Sequence, residues 1–239
     1  MPRIRFHWMV RNINGLWSTI GTGDSDDDKR TVGNLLAEPR LSLASERVLE
    51  VLYCECCGAQ MLTGFRIPID NRKNHELANF PAILENMPDE APETRTDSQT
   101  YKTLGVIYLL PEGQMTDATL EWSHGSIALT KDRRLVDKAN AQWRQAVVDP
   151  HTAIVTAGRE SDGHKIPCLS FELDADAERH SNFSAMPQVC PNCRVNYSER
   201  RGGKRSPIRA FATGLTQISL LLTKHLMMSL PELLSLIHI

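Results

Sequence analysis

Three observations predict an α+β fold, β-rich with a long C-terminal amphipathic helix. Short runs of β-branched and aromatic residues recur through the chain, bounded by Gly, Pro, Asn and Asp. Two Cys-x-x-Cys pairs, Cys54-Glu55-Cys56-Cys57 and Cys190-Pro191-Asn192-Cys193, lie about 130 residues apart and would tie distant segments together. Apolar residues then recur at helical spacing after Ser206-Pro207. With 239 residues the chain can bury a core, as one large or two small domains.

Taken in order, residues 4–10 and 46–53 read as strands joined through a Gly/Asp-rich loop at 21–29. The acidic run Asp24-Ser25-Asp26-Asp27-Asp28 in that loop reads as solvated, because a calcium loop needs spaced ligands and a terminal Glu. Residues 71–100 are polar and Pro-rich and predict an irregular connector. Short strands follow at Thr103–Leu110, Thr119–Trp122, Ser126–Leu129, Ala153–Thr156 and Ile166–Leu173, with one helix, Val136–Val147, ending before Pro150. Ser206-Pro207 offers a cap and a first-turn proline, and Ile208, Phe211, Ala212, Leu215, Ile218, Leu222 and Leu226 continue a helical stripe that Pro231 stops. The expected organisation is a β-rich domain over 1–205, a helix over 206–231 and a tail over 232–239, of which Leu234–Ile239 reads as non-native.

The paired thiols carry the strongest chemistry. A Cys-x-x-Cys turn wraps one edge of a Zn²⁺ ion, and two such pairs complete a tetrahedral site, so Cys54, Cys57, Cys190 and Cys193 are the expected ligands of a structural zinc. Their separation far exceeds the ~15–20 residues of a zinc ribbon. Gly58 after the first pair and Pro191 within the second suit the tight turns a tetrathiolate needs. A thioredoxin-like redox pair would open a helix, whereas Cys54 ends the strand-like run Val48–Tyr53. Cys56 is a spare thiol, and Cys168, inside Ile166–Leu173, reads as a buried small hydrophobe. The N-terminus lacks the apolar run of a secretory signal, and no apolar run is long enough to span a membrane. A reducing cytoplasm fits thiols held for metal.

Net charge is −2, which by itself points to no partner. Its distribution says more: Arg194, Arg200, Arg201, Lys204, Arg205 and Arg209 stand against one acid, Glu199. Guanidinium groups fixed between a metal turn and a helix suit phosphate contacts, so these six residues are the candidate nucleic-acid contacts, against the plainer reading of a solvated loop. Other motifs fail. Asp89-Glu90-Ala91-Pro92 follows Asn86-Met87-Pro88 rather than an apolar strand, and Gly202-Gly203-Lys204-Arg205 lacks the first Gly and the Ser/Thr of a phosphate loop. His75-Glu76 has no second His four residues after the first, and there is no Gly-x-Ser-x-Gly turn. His124, His151 and His164 read as loop or surface residues.

The order of segments resembles superfamily 2 DEAD/DEAH-box helicases, the Lhr-like enzymes with a cysteine-rich insertion between two RecA-like lobes. The resemblance runs through Phe6-His7-Trp8-Met9-Val10-Arg11-Asn12, Gly15-Leu16-Trp17, Val32-Gly33, Pro39-Arg40-Leu41 and Val48–Gly58. It resumes at Met186–Cys193, Tyr197-Ser198 and Ser206–Gly214. It implies an accessory, non-catalytic region of an ATP-dependent DNA helicase, with the helix after Ser206 leading toward an absent second lobe. ATP and Mg²⁺ would belong to the parent protein only, and nucleic acid, in the first place DNA, and the RecA-like lobes would be the partners. The rival reading is a zinc-stabilised protein–protein scaffold. A self-contained enzyme ranks last, since no nucleophile–base or carboxylate constellation stands out.

Overall fold

The computed structural model describes residues 15–21, 32–69, 74–79, 99–110, 120–132, 137–158, 163–200 and 205–211. The chain divides into two units: residues 16–210, and Met1–Gly15 together with Phe211–Ile239. Of the second unit the described residues are Gly15 and Phe211, joined by a hydrogen bond from the Gly15 N–H to the Phe211 carbonyl (2.8 Å). The strand expected at 4–10, most of the acidic loop, residues 212–231 of the expected helix and the tail lie outside the described residues.

In the larger unit every pairing between described strands is antiparallel. Three short strands, β1 (Trp17–Thr19), β2 (Leu35–Leu36) and β3 (Ser42–Leu43), precede the long hairpin of β4 (Glu46–Cys54) and β5 (Gln60–Pro68). β6 (His75–Ala78), β7 (Leu104–Leu109), β8 (Leu120–Gly125), β9 (Lys138–Val148), β10 (Ile154–Ala157), β11 (Ile166–Leu173) and β12 (Ile208–Ala210) follow. Pairing runs β5-β6-β10-β9-β11-β7 and returns from β7 to β5, which closes a six-stranded barrel and removes its edges.

Two long strands make closure and extension compatible, because each serves two neighbours along one edge. The first half of β5 pairs with β4 and its second half with β6. The first half of β9 pairs with β8 and its end with β10. Gly64 sits where β5 changes partner. A Cβ there would lie 3.0 Å from both the Ala78 carbonyl and Leu49 Cδ2, so only glycine lets the strands pass. At Gly105 of β7 a Cβ would come 2.7 Å from Leu77 Cδ2, a side-chain end that would have to shift.

β7 is buried along its whole length because both of its faces are covered. Val106 and Tyr108 join Leu52, Met61, Trp122, Trp143, Leu169, Phe171, Phe183 and Ile208 in one apolar cluster that also contains Cys54 and Cys190. Two of the four metal-ligand candidates, Cys54 and Cys190, therefore grow out of the core.

The α+β expectation is corrected: among the described residues the longest helical stretch is the six-residue 3₁₀ turn Ala177–Asn182. The helix expected at Val136–Val147 is β9. Its residues Ala139, Ala141 and Trp143 alternate inward, and their pairing with β8 and β11 overrides the helix preference of Ala, Gln and Arg. The helix expected from Ser206 begins as β12. The Ser206 hydroxyl does accept the Ile208 N–H (3.0 Å), as a cap would. The chain nevertheless extends, because the edge of β4 offers a ladder that pairs Ile208 with Cys54 and Ala210 with Leu52. Within the expected connector 71–100 the structure places β6, and the two strands expected around residues 119–129 are one, β8, followed by a bridge at Ser126. No helix among the described residues is long and apolar enough to cross a membrane.

Candidate metal centre

Cys54 is the last residue of β4, held in register by β12 on one side and β5 on the other. Beyond it the chain turns back sharply: the Gly58 N–H donates to the Cys54 carbonyl (2.9 Å), and the Cys54 N–H donates to the Ala59 carbonyl (2.9 Å). Gly58 takes φ +75°, the left-handed conformation that glycine adopts without strain. The second pair repeats this turn residue for residue. The Arg194 N–H donates to the Cys190 carbonyl (3.0 Å), and the Cys190 N–H donates to the Val195 carbonyl (3.1 Å). Arg194, at φ +60°, stands where Gly58 stands in the first. The centre is thus two copies of one turn, facing each other.

Facing brings the sulfurs together. Cys54 and Cys193 Sγ are 3.9 Å apart, Cys57 and Cys190 Sγ are 3.8 Å apart, and all four lie within 4.8 Å of one another. A tetrahedron of sulfurs at a Zn–S distance of ~2.3 Å has edges of about 3.8 Å, so the thiols stand at ligand separation. Cys54, Cys57, Cys190 and Cys193 could hold a metal ion, as the spacing predicts. Cys54 and Cys190 are buried in the core, whereas Cys57 and Cys193 are exposed. Cys56 points elsewhere, with its Sγ 3.4 Å from Tyr197 Oη, and Cys168 is fully buried on β11.

The protonation balance is uneven. Burial pushes the Cys54 thiol up to about 11 and raises Cys190 as well. At Cys57 burial acts in the same direction, but it is outweighed by the backbone hydrogen bond from Ala59 and by the Asn192 amide, which bring the thiol down to about 7. Asn192 Nδ2 donates to Cys57 Sγ across 3.6 Å, from one turn to the other. Metal must displace protons from the buried thiols, so uptake releases protons and weakens as pH falls.

A polar lock surrounds the thiols that spacing alone did not reveal. Glu55, between the first two cysteines, accepts a hydrogen bond from Tyr197 Oη (3.2 Å) and pairs with Arg209 Nε (3.1 Å). Its N–H donates to the Pro207 carbonyl (2.8 Å), and Trp143 Nε1 on β9 donates to the carbonyl of Val189, next to Cys190 (2.9 Å). A cysteine pair whose intervening acid is followed by a distant basic residue was the available signal for the Glu55–Arg209 contact, and it is a weak one.

The six basic residues separate. Arg194 and Arg200 are exposed, and Arg200 lies 3.7 Å over the Tyr197 ring. Arg205 Nη1 donates to the carbonyls of Ser126 (3.1 Å) and Ile127 (3.0 Å), and Arg209 holds Glu55. Arg201 and Lys204 lie outside the described residues, as do Gly202 and Gly203. Of the histidines, His151 and His164 are exposed, but His124 is fully buried on β8.

A family model, the YjiV N-terminal domain, matches residues 35–212, a span that contains all four clustered cysteines and all six basic residues. No curated protein and no solved structure matches the chain. The chain belongs to the YjiV N-terminal domain family. This corrects the expected kinship: it is a different family from the Lhr-like helicases, and nothing indicates a helicase insertion region. The RecA-like lobes and the parent's ATP and Mg²⁺ lose the resemblance on which they rested.

Proposed function

We propose that this YjiV N-terminal domain is a zinc-clamped β-barrel module, its metal structural, its exposed arginines beside the clamp contacting nucleic acid. The observation that carries the reading is the convergence of four thiols, from turns more than a hundred residues apart, at tetrahedral separation. An all-sulfur, fully occupied donor set selects zinc over harder divalent ions and leaves no open coordination position for a substrate. The site therefore makes and breaks no bond in this reading. It holds β12, the β4–β5 turn and the 190–195 turn as one rigid platform.

Arg194 and Arg200 support the nucleic-acid part. Arg194 projects from the metal turn itself, and Arg200 is oriented by the Tyr197 ring, so both are cations on a fixed scaffold. Phosphate contacts of this kind carry no base specificity and weaken as salt rises. The test is binding of a short DNA duplex and single strand to the full chain across a salt series, with Arg194→Gly and Arg200→Ala. Arg194→Gly suits the left-handed position, so metal content stays intact while affinity drops by about threefold or more at low salt and the salt slope decreases. Salt-independent binding, or variants that bind as the wild type does, contradicts this part. A second reading, a protein-docking scaffold, is favoured by Arg205 and Arg209 being engaged within the chain. Absence of DNA binding combined with a specific protein partner selects it.

A further inference from the structure

A pocket of about 420 Å³ opens between the end of β8, the segment that leads into Cys190 and the chain entering β12. Arg205 and Arg209 line it, with Gln99, Gln188, Ile127 and Met186. Its hydrogen-bonding character is one-sided. Gln188 Oε1 already accepts the Gly125 N–H (3.1 Å), and Gln99 Oε1 accepts from the Thr103 hydroxyl (3.1 Å). The amide nitrogens are thereby left as donors, with no acceptor among the described residues. Arg209 Nη2 is buried and likewise has none. No described Asp or Glu lines the pocket, although Arg209 pairs through its Nε with Glu55 outside it, while Arg205 donates to backbone carbonyls.

The apolar part limits the ligand further. Met186 is buried and Ile127 is 44% exposed, giving a wall on which a flat ring can lie. The volume lies in the range of small-molecule sites and far exceeds what one phosphate fills. We infer that this pocket binds a phosphorylated nucleoside, its phosphate at Arg205 and Arg209 and its base against Ile127 and Met186, either free or as the phosphorylated end of a strand. This goes beyond the surface contacts of Arg194 and Arg200 and does not rest on them.

The experiment is equilibrium binding to the metal-loaded full chain, with inorganic phosphate, a nucleoside 5′-monophosphate, the unphosphorylated nucleoside, and a short single strand with or without a 5′-phosphate as probes. The monophosphate is expected to bind 1:1, with the nucleoside weaker by about tenfold or more. Arg205 and Arg209 also hold the fold, so the informative variant is Ile127→Glu, which puts a negative charge on an exposed side chain at the pocket. It should weaken the monophosphate about tenfold, while Ile127→Gln stays within about twofold and both keep their metal. If the 5′-phosphorylated strand competes, the ligand is a strand end; if only the monophosphate binds, it is a free nucleotide. No binding of the monophosphate, equal binding of the nucleoside, or an Ile127→Glu variant indistinguishable from Ile127→Gln overturns the inference. The monophosphate reads the pocket and the duplex reads the surface contacts, so failure of one leaves the other standing.

Discussion

At Gly58 and Arg194 the same backbone position is filled by the residue that fits it and by one that does not. No atom lies within 4 Å of a Cβ added at Gly58, so Gly58→Ala meets only the left-handed φ of +75°. It should cost about 1 kcal/mol in denaturant unfolding while leaving metal content intact; a loss several times larger would mean the turn cannot tolerate what its partner turn already holds. His124 shows how far residue type can mislead. Read as a loop histidine, it is instead wholly inside the aromatic cluster, and its ring is fully assigned by its neighbours. Trp122 Nε1 can only donate, so His124 Nδ1 accepts (3.2 Å) and Nε2–H donates to the Ser184 carbonyl (3.3 Å). Burial lowers the ring to about 4. Between that value and the unfolded ~6.5 only the unfolded chain binds the proton, so stability falls as pH drops through this window, by at most about 3 kcal/mol. Nitrogen chemical shifts should show a neutral Nε2–H ring at pH 6; a protonated ring there would contradict the assignment.

Among the elements, β4, β7, β10 and β11 were legible because Val, Ile, Leu and Tyr dominate them, and Ile166–Leu173 agrees to the residue. β9 was not legible, since Ala139 and Ala141 are weak markers of an inward face and Lys, Gln and Arg fill the rest. β12 was hidden by a Ser-Pro start that is locally helix-like, and its partner on β4 lies more than 150 residues away in the chain. The thiols could be read from their spacing, but the strands that aim them could not, because register is a property of the pairing. Trp143 shows the link between element and site: it is 1% exposed on β9 and donates to the carbonyl next to Cys190. Trp143→Phe keeps most of the packing and removes that hydrogen bond. Unfolding should cost about 1–2 kcal/mol more for the wild type, and metal affinity of the variant should fall about tenfold as the 190–195 turn loosens. Unchanged affinity in a competition titration would show that the barrel does not position the turn.

For the molecule as a whole, barrel closure and the thiol clamp are separate sources of order. Pairing of β7 with β5 closes the ring and the β4 ladder holds β12 with no help from the cysteines, whereas the thiols join the 190–195 turn to the β4–β5 turn. In small zinc domains the metal supplies on the order of 10 kcal/mol and is nearly all of the folding free energy. Here a chelator should instead lower the melting temperature and expose the two turns to hydrogen exchange, while the far-ultraviolet signature of the sheet persists. Complete loss of sheet on chelation would make the metal the source of the fold rather than its clamp. The metal-dependent gain in melting temperature should also shrink as pH is lowered, since the buried thiols must give up protons to bind. Elemental analysis of the reduced, freshly purified full chain, beside a Cys190→Ser variant, tests the clamp most directly. About one zinc per chain in the wild type, with near-complete loss in the variant, is the expected result; no metal in either protein, or equal metal in both, would contradict it.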